Sequence, residues 1–503
     1  MTSDRWTAER GLLLAGSLLL AALPFALVTF PPSTDLPQQA AQIRLLEEQL
    51  GLAPETTPRE LYEVRWWAPN NLVYAIFFGT AQVLEPIAAA RVGLAILTLL
   101  VVFAIHELAR RRGRPPEHAM LASTLAFSCS LYWGFIGFLF GAAIFLLVLD
   151  HALRAPDPEH PRRDVAVLTV LATALYAAHS LWLPALGGAL VVGALLRRLG
   201  GRAAPLRFEL ARLLALAPAL AHAAHWFPRL AAQRAESGFV MDARWAPLHE
   251  RLPRLLSAEP IYGGLDGALE PGMAALLVLW LGTGFLRRES LDARGGLDRP
   301  LLAIAAVLAL AVLLLPDKYA NTIAMNERYG FVAAALALLA VPRPPIRESL
   351  TRALAPLAAL AFAATTAAAW VVVDRHELAG LEAAVRAEPR PARVLGLSFL
   401  HRSEVLDGRP FLHAFAWRQA LHGGSLSFSF AEHRSGIVGL REIQQAPWTP
   451  GLEELPERVT RHDLQYFDLV VMGGTPDQHE RFTRDAGSEV IGEAVWRLHR
   501  LMD

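Results

Sequence analysis

Asp35 stands where an acid could do chemistry. It follows a twenty-residue apolar run, Gly11 to Phe30, with only Pro31, Pro32, Ser33 and Thr34 between. A carboxylate just outside a membrane segment can take a proton from a hydroxyl or an amine. Thr34 or Asp35 ahead of Pro37 also reads as a helix N-cap with proline in the first turn. The two roles are compatible, because a cap fixes the side chain. Glu85, just before Pro86, is either a second acid dividing the work with Asp35 or a turn residue. His179 lies between the apolar runs Val165–Ala178 and Leu181–Leu195, as a substrate contact or as an interfacial histidine bonded to a carbonyl. Lys318, the only lysine, and Arg328, beside Glu327, flank "PDKYANTIAMNERYG". Fixed cations there suit a phosphate, against snorkelling for the lysine and a surface pair for Glu327 with Arg328. Tyr132, Trp133 and Phe135 suit interface anchoring, or else stacking on a sugar or shaping a cavity. His222 and His225 have acceptable metal spacing, but nothing nearby completes a set. His401, His413, His422 and His433 are scattered through the tail, where "GGTPD" reads as a turn.

The elements that must position these groups are membrane helices. The 503 residues are 54% hydrophobic and only 19% charged, and the apolar residues are blocked rather than spread. Gly11–Phe30, Val92–Ile105, Leu139–Leu149 and Leu301–Leu315 are runs of the kind that make a polytopic membrane protein in contact with membrane lipids. The first run lacks an A-x-A-like cleavage site and reads as a retained anchor. Net charge is zero with no basic block, which argues against a nucleic-acid partner. The single cysteine, Cys129, excludes a disulfide framework and a CxxC metal site. Heavy use of Ala and Arg points to a bacterial origin.

Arginine sets the expected topology, because short cytoplasmic loops hold the excess of basic residues. Five marks, "ARRRGR" (109–114), "PRR" (161–163), "LRRLGGR" (196–202), "LRRES" (286–290) and "PRPPIRES" (342–349), are placed inside. Outer loops then fall at 31–70, 227–270 and 316–327. The N-terminus is cytoplasmic, and 1–374 forms a transmembrane domain of about 11–12 helices. Leu72–Leu84 is too short to span and reads as re-entrant or steeply tilted. In the first outer loop Leu36, Ala40, Ile43, Leu46 and Leu50 recur at helical spacing, with Gln38, Gln42, Glu48 and Gln49 off that stripe. This is an amphipathic helix suited to a membrane surface. Trp66 and Trp67 sit where interfacial anchors belong. From about residue 375, "ARVLGLSFL", "SLSFSF", "FDLVVMGG" and "EVIGEAVWRLHRL" read as strands of a periplasmic α/β domain, 375–503.

The order "TDLPQQAAQIRLL", then "PNNLVYAIFFGTAQVLEPIAAARVGL", resembles integral-membrane glycosyltransferases of the GT-C type. "SLYWGFIGFLFGAAIFLLVL" (Ser130–Leu149), "YAAHSLWLPALGGALVV" (Tyr176–Val192) and "MNERYGFVAAALALL" (Met325–Leu339) resemble later spans of that superfamily, and the α/β tail is similar too. The resemblance implies an α-helical polytopic GT-C-like fold with a periplasmic α/β domain. It also implies transfer of a sugar from a polyprenyl-phosphate donor to a periplasmic glycan, lipid or protein acceptor, in a bacterial inner membrane. The first-loop acid of the family, a base or metal holder, falls on Asp35. Many relatives carry histidine where Gln39 stands, in a D-x-P-x-H-like pattern. Glutamine binds a substrate through hydrogen bonds but neither titrates nor ligates a metal well, which weakens a divalent Mg or Mn at this site.

On this reading Asp35 is the base, with Gln39, Glu85, Tyr132, Trp133, His179, Lys318 and Arg328 toward substrate. The alternative is a non-catalytic lipid-glycan binding, flippase or assembly protein on the same scaffold. An ion-driven transporter would keep ionisable groups at mid-membrane; here they cluster at span ends.

Overall fold

In a computed structural model of the chain the described residues are 3–236, 242–251, 262, 269–286, 296–319, 322–432, 436–442 and 446–502. They form two compact units. One comprises Met1–Leu23, Ile96–Leu131 and Ile136–Thr366; the other comprises Pro24–Ala95, Tyr132–Phe135 and Ala367–Asp503. Six helices among the described residues are long and apolar enough to cross a membrane: Ala8–Leu27, Pro86–Arg111, Ile136–Leu153, Trp182–Leu199, Leu269–Leu286 and Glu348–Glu377. Arg299–Leu314 is apolar but shorter. The chain is a multi-pass membrane protein.

In the first unit the arginine-rich turns are tied to one another. The ends of Pro86–Arg111, Ile136–Leu153 and Gly330–Ala340 leave carbonyls that no later turn of helix can satisfy. Arginine donors fill them. Arg114, buried, donates to the carbonyls of Gly296, Leu339, Ala340 and Val341. Arg197 donates to those of Leu153 and Arg154, and Arg10 to that of Arg114. Arg112 pairs with Asp298 at 2.8 Å and lies 3.5 Å from Asp150. Asp298 in turn caps the Arg299–Leu314 helix through the Leu301 N–H. The helix opened by "PRR" joins the same end, since Asp164 in its first turn lies 3.0 Å from His151 and 3.1 Å from Arg212. The mark at 286–290 lies almost wholly outside the described residues. These turns therefore gather on one face.

The second unit holds a five-stranded sheet in the order Gly424–Leu426, Ala392–Ser398, Leu469–Gly473, Trp496–Leu501, Ser488–Ile491. The first three strands run parallel and the last two join antiparallel. Leu395, Leu397, Val470, Met472, Phe467 and Phe482 form its core. The α/β reading of the tail holds, with three local differences. "SLSFSF" is strand only to Leu426, and "EVIGEAVWRLHRL" is two strands meeting around Gly492. "GGTPD" is more than a turn. Thr475 and Gln478 form a capping box that opens the Pro476–Ala486 helix, with proline at its first position.

The first-loop helix runs Leu36–Gln49. Its apolar stripe is buried from Leu36 to Leu46, but so is much of its polar face. Gln38 donates its amide to the Phe428 carbonyl and accepts from the Phe430 N–H. Gln42 accepts from the Val438 N–H. Glu48 accepts from Arg44 and from both the N–H and the hydroxyl of Thr56. A polar face buried this way must be fully bonded, and tail residues supply the partners of Gln38 and Gln42. Residues 62–64 also pair as a strand with 438–440. Leu72–Leu84 contains only the eight-residue helix Tyr74–Ala81, about 12 Å long and too short to span. Trp66 and Trp67 are exposed.

Candidate active site

Asp35 is at the N-cap position of the Leu36–Gln49 helix, but its side chain makes no capping hydrogen bond. Proline in the first turn and the backbone bonds of the preceding loop start the helix without it. The Thr34 N–H and hydroxyl both donate to the Tyr132 carbonyl, and the Asp35 N–H donates to the Trp133 carbonyl at 3.2 Å. Tyr132 and Trp133 thus hold the acid through their backbone. Their rings are engaged elsewhere: Tyr132 lies against Trp370, 6.3 Å between centroids, and Trp133 stacks on Phe135. Gly134 lets this happen. Its φ is +79°, and a Cβ there would stand 2.9 Å from both the amide nitrogen and the Cβ of Asp35. Only glycine fits so close an approach.

The freed carboxylate turns toward the tail. His413 Nδ1 lies 3.1 Å from Asp35 Oδ1, with the two side chains 8% and 16% exposed. The other oxygen has no hydrogen-bond partner among the described residues. An ionised carboxylate only accepts, so the shared hydrogen belongs to the imidazole. The imidazole stacks on Phe428, 5.1 Å away and 13° from parallel, and meets the edge of Phe430. Two further acids lie behind it. Burial pushes the Glu453 carboxyl up while the His413 imidazole pulls it down. Burial, with the Glu453 charge second, pushes Glu432 up to about 8.

Gln39 is buried, and its carbonyl accepts the Tyr74 hydroxyl proton. Glu85 accepts from the Ala88 N–H at the start of the Pro86–Arg111 helix and pairs with Arg386 at 3.2 Å. No described contact joins it to Asp35. Among the described residues no three His, Cys, Asp or Glu side chains are grouped to hold a metal ion. With Gln39 occupied by Tyr74, Asp35 and His413 alone are a poor donor set for Mg or Mn, which take several oxygens.

In the first unit the structure brings His179 and Arg328 together. His179 breaks the chain direction between Pro161–Ala178 and Trp182–Leu199 in an extended conformation. Its Nδ1 accepts from the Leu181 N–H, so the neutral ring carries its proton on Nε2. Burial first, then the Arg328 charge, holds the imidazole well below its usual range and uncharged. Tyr329 clamps the turn by donating its hydroxyl to the Leu181 carbonyl at 2.7 Å. Phe138 and Trp182 fill the space between. Arg328 is buried and donates to the Ile323 carbonyl. Lys318 lies in a short strand, 318–319, paired with 243–244, and its charge acts on Asp242. His222 hydrogen-bonds the Tyr176 hydroxyl rather than a metal set.

Sequence reading gave His413, Gly134 and the Phe428–Phe430 platform no role. His413 is 378 residues from Asp35, beyond any local pattern. The glycine after two aromatics was a visible signal, since a bend beside a candidate acid often needs one. His433 lies outside the described residues.

No protein-family profile matches the sequence, and no curated protein matches it significantly. Solved structures do match. ArnT from Cupriavidus metallidurans bound to undecaprenyl phosphate aligns over 99% of this chain and 98% of its own, at 14% identity and a TM-score of 0.54. The same protein in the apo state gives 13% identity, the same coverage and a TM-score of 0.50. The mycobacterial arabinofuranosyltransferase AftD covers all of this chain over 40% of its own length at 15% identity, with a TM-score of 0.44, too low to bear on the fold. The chain has the fold of a GT-C type membrane glycosyltransferase.

Proposed function

We propose that the protein is a bacterial inner-membrane glycosyltransferase that moves a sugar from a polyprenyl-phosphate donor to a periplasmic acceptor. The observation that carries this reading is the Asp35 carboxylate, released from helix capping, held by one oxygen and open at the other. Asp35 takes the proton from the acceptor's hydroxyl or amine. The new bond forms at the anomeric carbon as the carbon–oxygen bond to phosphate breaks, and polyprenyl phosphate leaves. One base without a second nucleophile fits inversion at that carbon. Arg328 and Lys318 contact the phosphate, and neutral His179 offers it an Nε2–H donor. A fold shared with a protein whose structure holds undecaprenyl phosphate supports the donor class. The face where the arginine-rich turns gather is cytoplasmic, and the domain 375–503 is periplasmic.

The test is lipid binding and sugar transfer by the full chain in bilayers. Undecaprenyl phosphate should bind, and Arg328→Ala should weaken binding about tenfold or more. Failure to bind that lipid, with the helices intact, overturns the reading.

A further inference from the structure

We propose that His413 is the positioning residue of the catalytic base: its Nδ1–H fixes Asp35 Oδ1 so that Oδ2 faces the acceptor. This rests on the glycosyltransferase reading of Asp35. The imidazole is 3.1 Å from Oδ1 and buried. Nothing else among the described residues holds the carboxylate, because the cap bond is not made. A carboxylate on a short side chain free to turn about its last bond presents its oxygens indifferently. One charge-assisted bond removes that freedom.

The ring is itself held from below. Phe428 lies flat against it and Phe430 meets it edge-on. Both phenylalanines are fixed through their backbone by one side chain, Gln38, which accepts the Phe430 N–H and donates to the Phe428 carbonyl. Gln38 is three residues beyond Asp35, on the adjoining turn of the same helix. One turn of helix therefore presents the acid and builds the platform for the ring that aims it. Glu453, a carboxyl pushed up by burial, lies close enough to feel the His413 imidazole.

Two readouts test this on the full chain in phosphatidylethanolamine–phosphatidylglycerol bilayers. The first needs no turnover. Solid-state nitrogen NMR of 15N-histidine protein, assigned by loss of a signal in His413→Asn, should show His413 protonated at Nδ1 and a shift of that signal in Asp35→Asn. A ring protonated only at Nε2, or a signal indifferent to Asp35→Asn, overturns the proposal. The second is steady-state transfer from undecaprenyl-phosphate-linked radiolabelled hexose. Asparagine places an amide N–H near the former Nδ1, whereas alanine removes the donor. His413→Ala should lower kcat roughly 10- to 100-fold with KM for the lipid donor within about twofold, and His413→Asn should recover most of the loss. Equal loss in both variants, or activity abolished by EDTA and restored by a divalent metal, also overturns it. Full transfer by Asp35→Asn would instead defeat the underlying reading of Asp35, and the NMR result would still decide whether the pair exists.

Discussion

Replacing Gly134 by alanine should displace the acid itself, and three glycines separate the causes. Gly79 lies in the Tyr74–Ala81 helix with open space around it. Alanine there should stabilise by about 0.5–1 kcal/mol. Gly451 has φ +78° and also faces open space. Alanine there meets only the backbone penalty, about 1–2 kcal/mol. Gly134 has nearly the same φ, +79°, and in addition the Asp35 amide nitrogen and Cβ at 2.9 Å from the new methyl. Overpacking against backbone adds about 1–3 kcal/mol, for a total of roughly 2–5 kcal/mol. Ordinary contact begins near 3.4 Å, so the 33–35 loop must retreat by about half an ångström. A misplacement of that order should lower kcat roughly tenfold or more. The assay is thermal unfolding of the three variants in lipid, followed by transfer activity. Gly134→Ala as mild as Gly451→Ala, with kcat unchanged, would refute the idea that this close approach seats Asp35.

Three other perturbations follow from the second unit. Gln38→Leu strands the Phe428 carbonyl and the Phe430 N–H, which should cost about 1–3 kcal/mol for each group in unfolding experiments. Glu432 has its folded pKa raised to about 8, above its unfolded value, so its destabilisation is absent in acid, grows as pH rises from the unfolded value through 8, and levels off above it. Glu432→Gln should therefore leave stability unchanged near pH 4 and raise it by roughly 2–4 kcal/mol near pH 9. His479 and His499 are buried, stacked and bonded at 3.0 Å between Nδ1 and Nε2, and burial lowers both, His499 to about 3. A depressed base keeps its full stability above its unfolded value and loses it as pH falls. The sheet should weaken by about 2 kcal/mol by pH 5 through His499, with His479 acting in the same direction, read as faster hydrogen exchange in 496–501, and His499→Phe should flatten that slope.

Elements were legible where one physical rule dominated. The apolar blocks and arginine turns sufficed for a multi-pass fold, because a bilayer accepts little else. Several arginines proved to be cross-linkers of helix ends, as Arg114 shows, a role that depends on which turns meet. The helix at 36–49 was readable from its stripe, but the burial of Gln38, Gln42 and Glu48 was not, since their partners at 428, 430 and 438 are far along the chain. The capping box at Thr475–Gln478 was written in the sequence and overlooked. Asp35 stood out by position alone. What frees and aims its carboxylate, Gly134 and His413, depends on backbone geometry and on long-range packing that spacing does not encode.

The most direct measurement pairs donor binding and transfer on one preparation of Asp35→Asn in bilayers. The account predicts donor affinity within about twofold of the parent and transfer reduced roughly 10²- to 10⁴-fold. Transfer at the parental rate would contradict it.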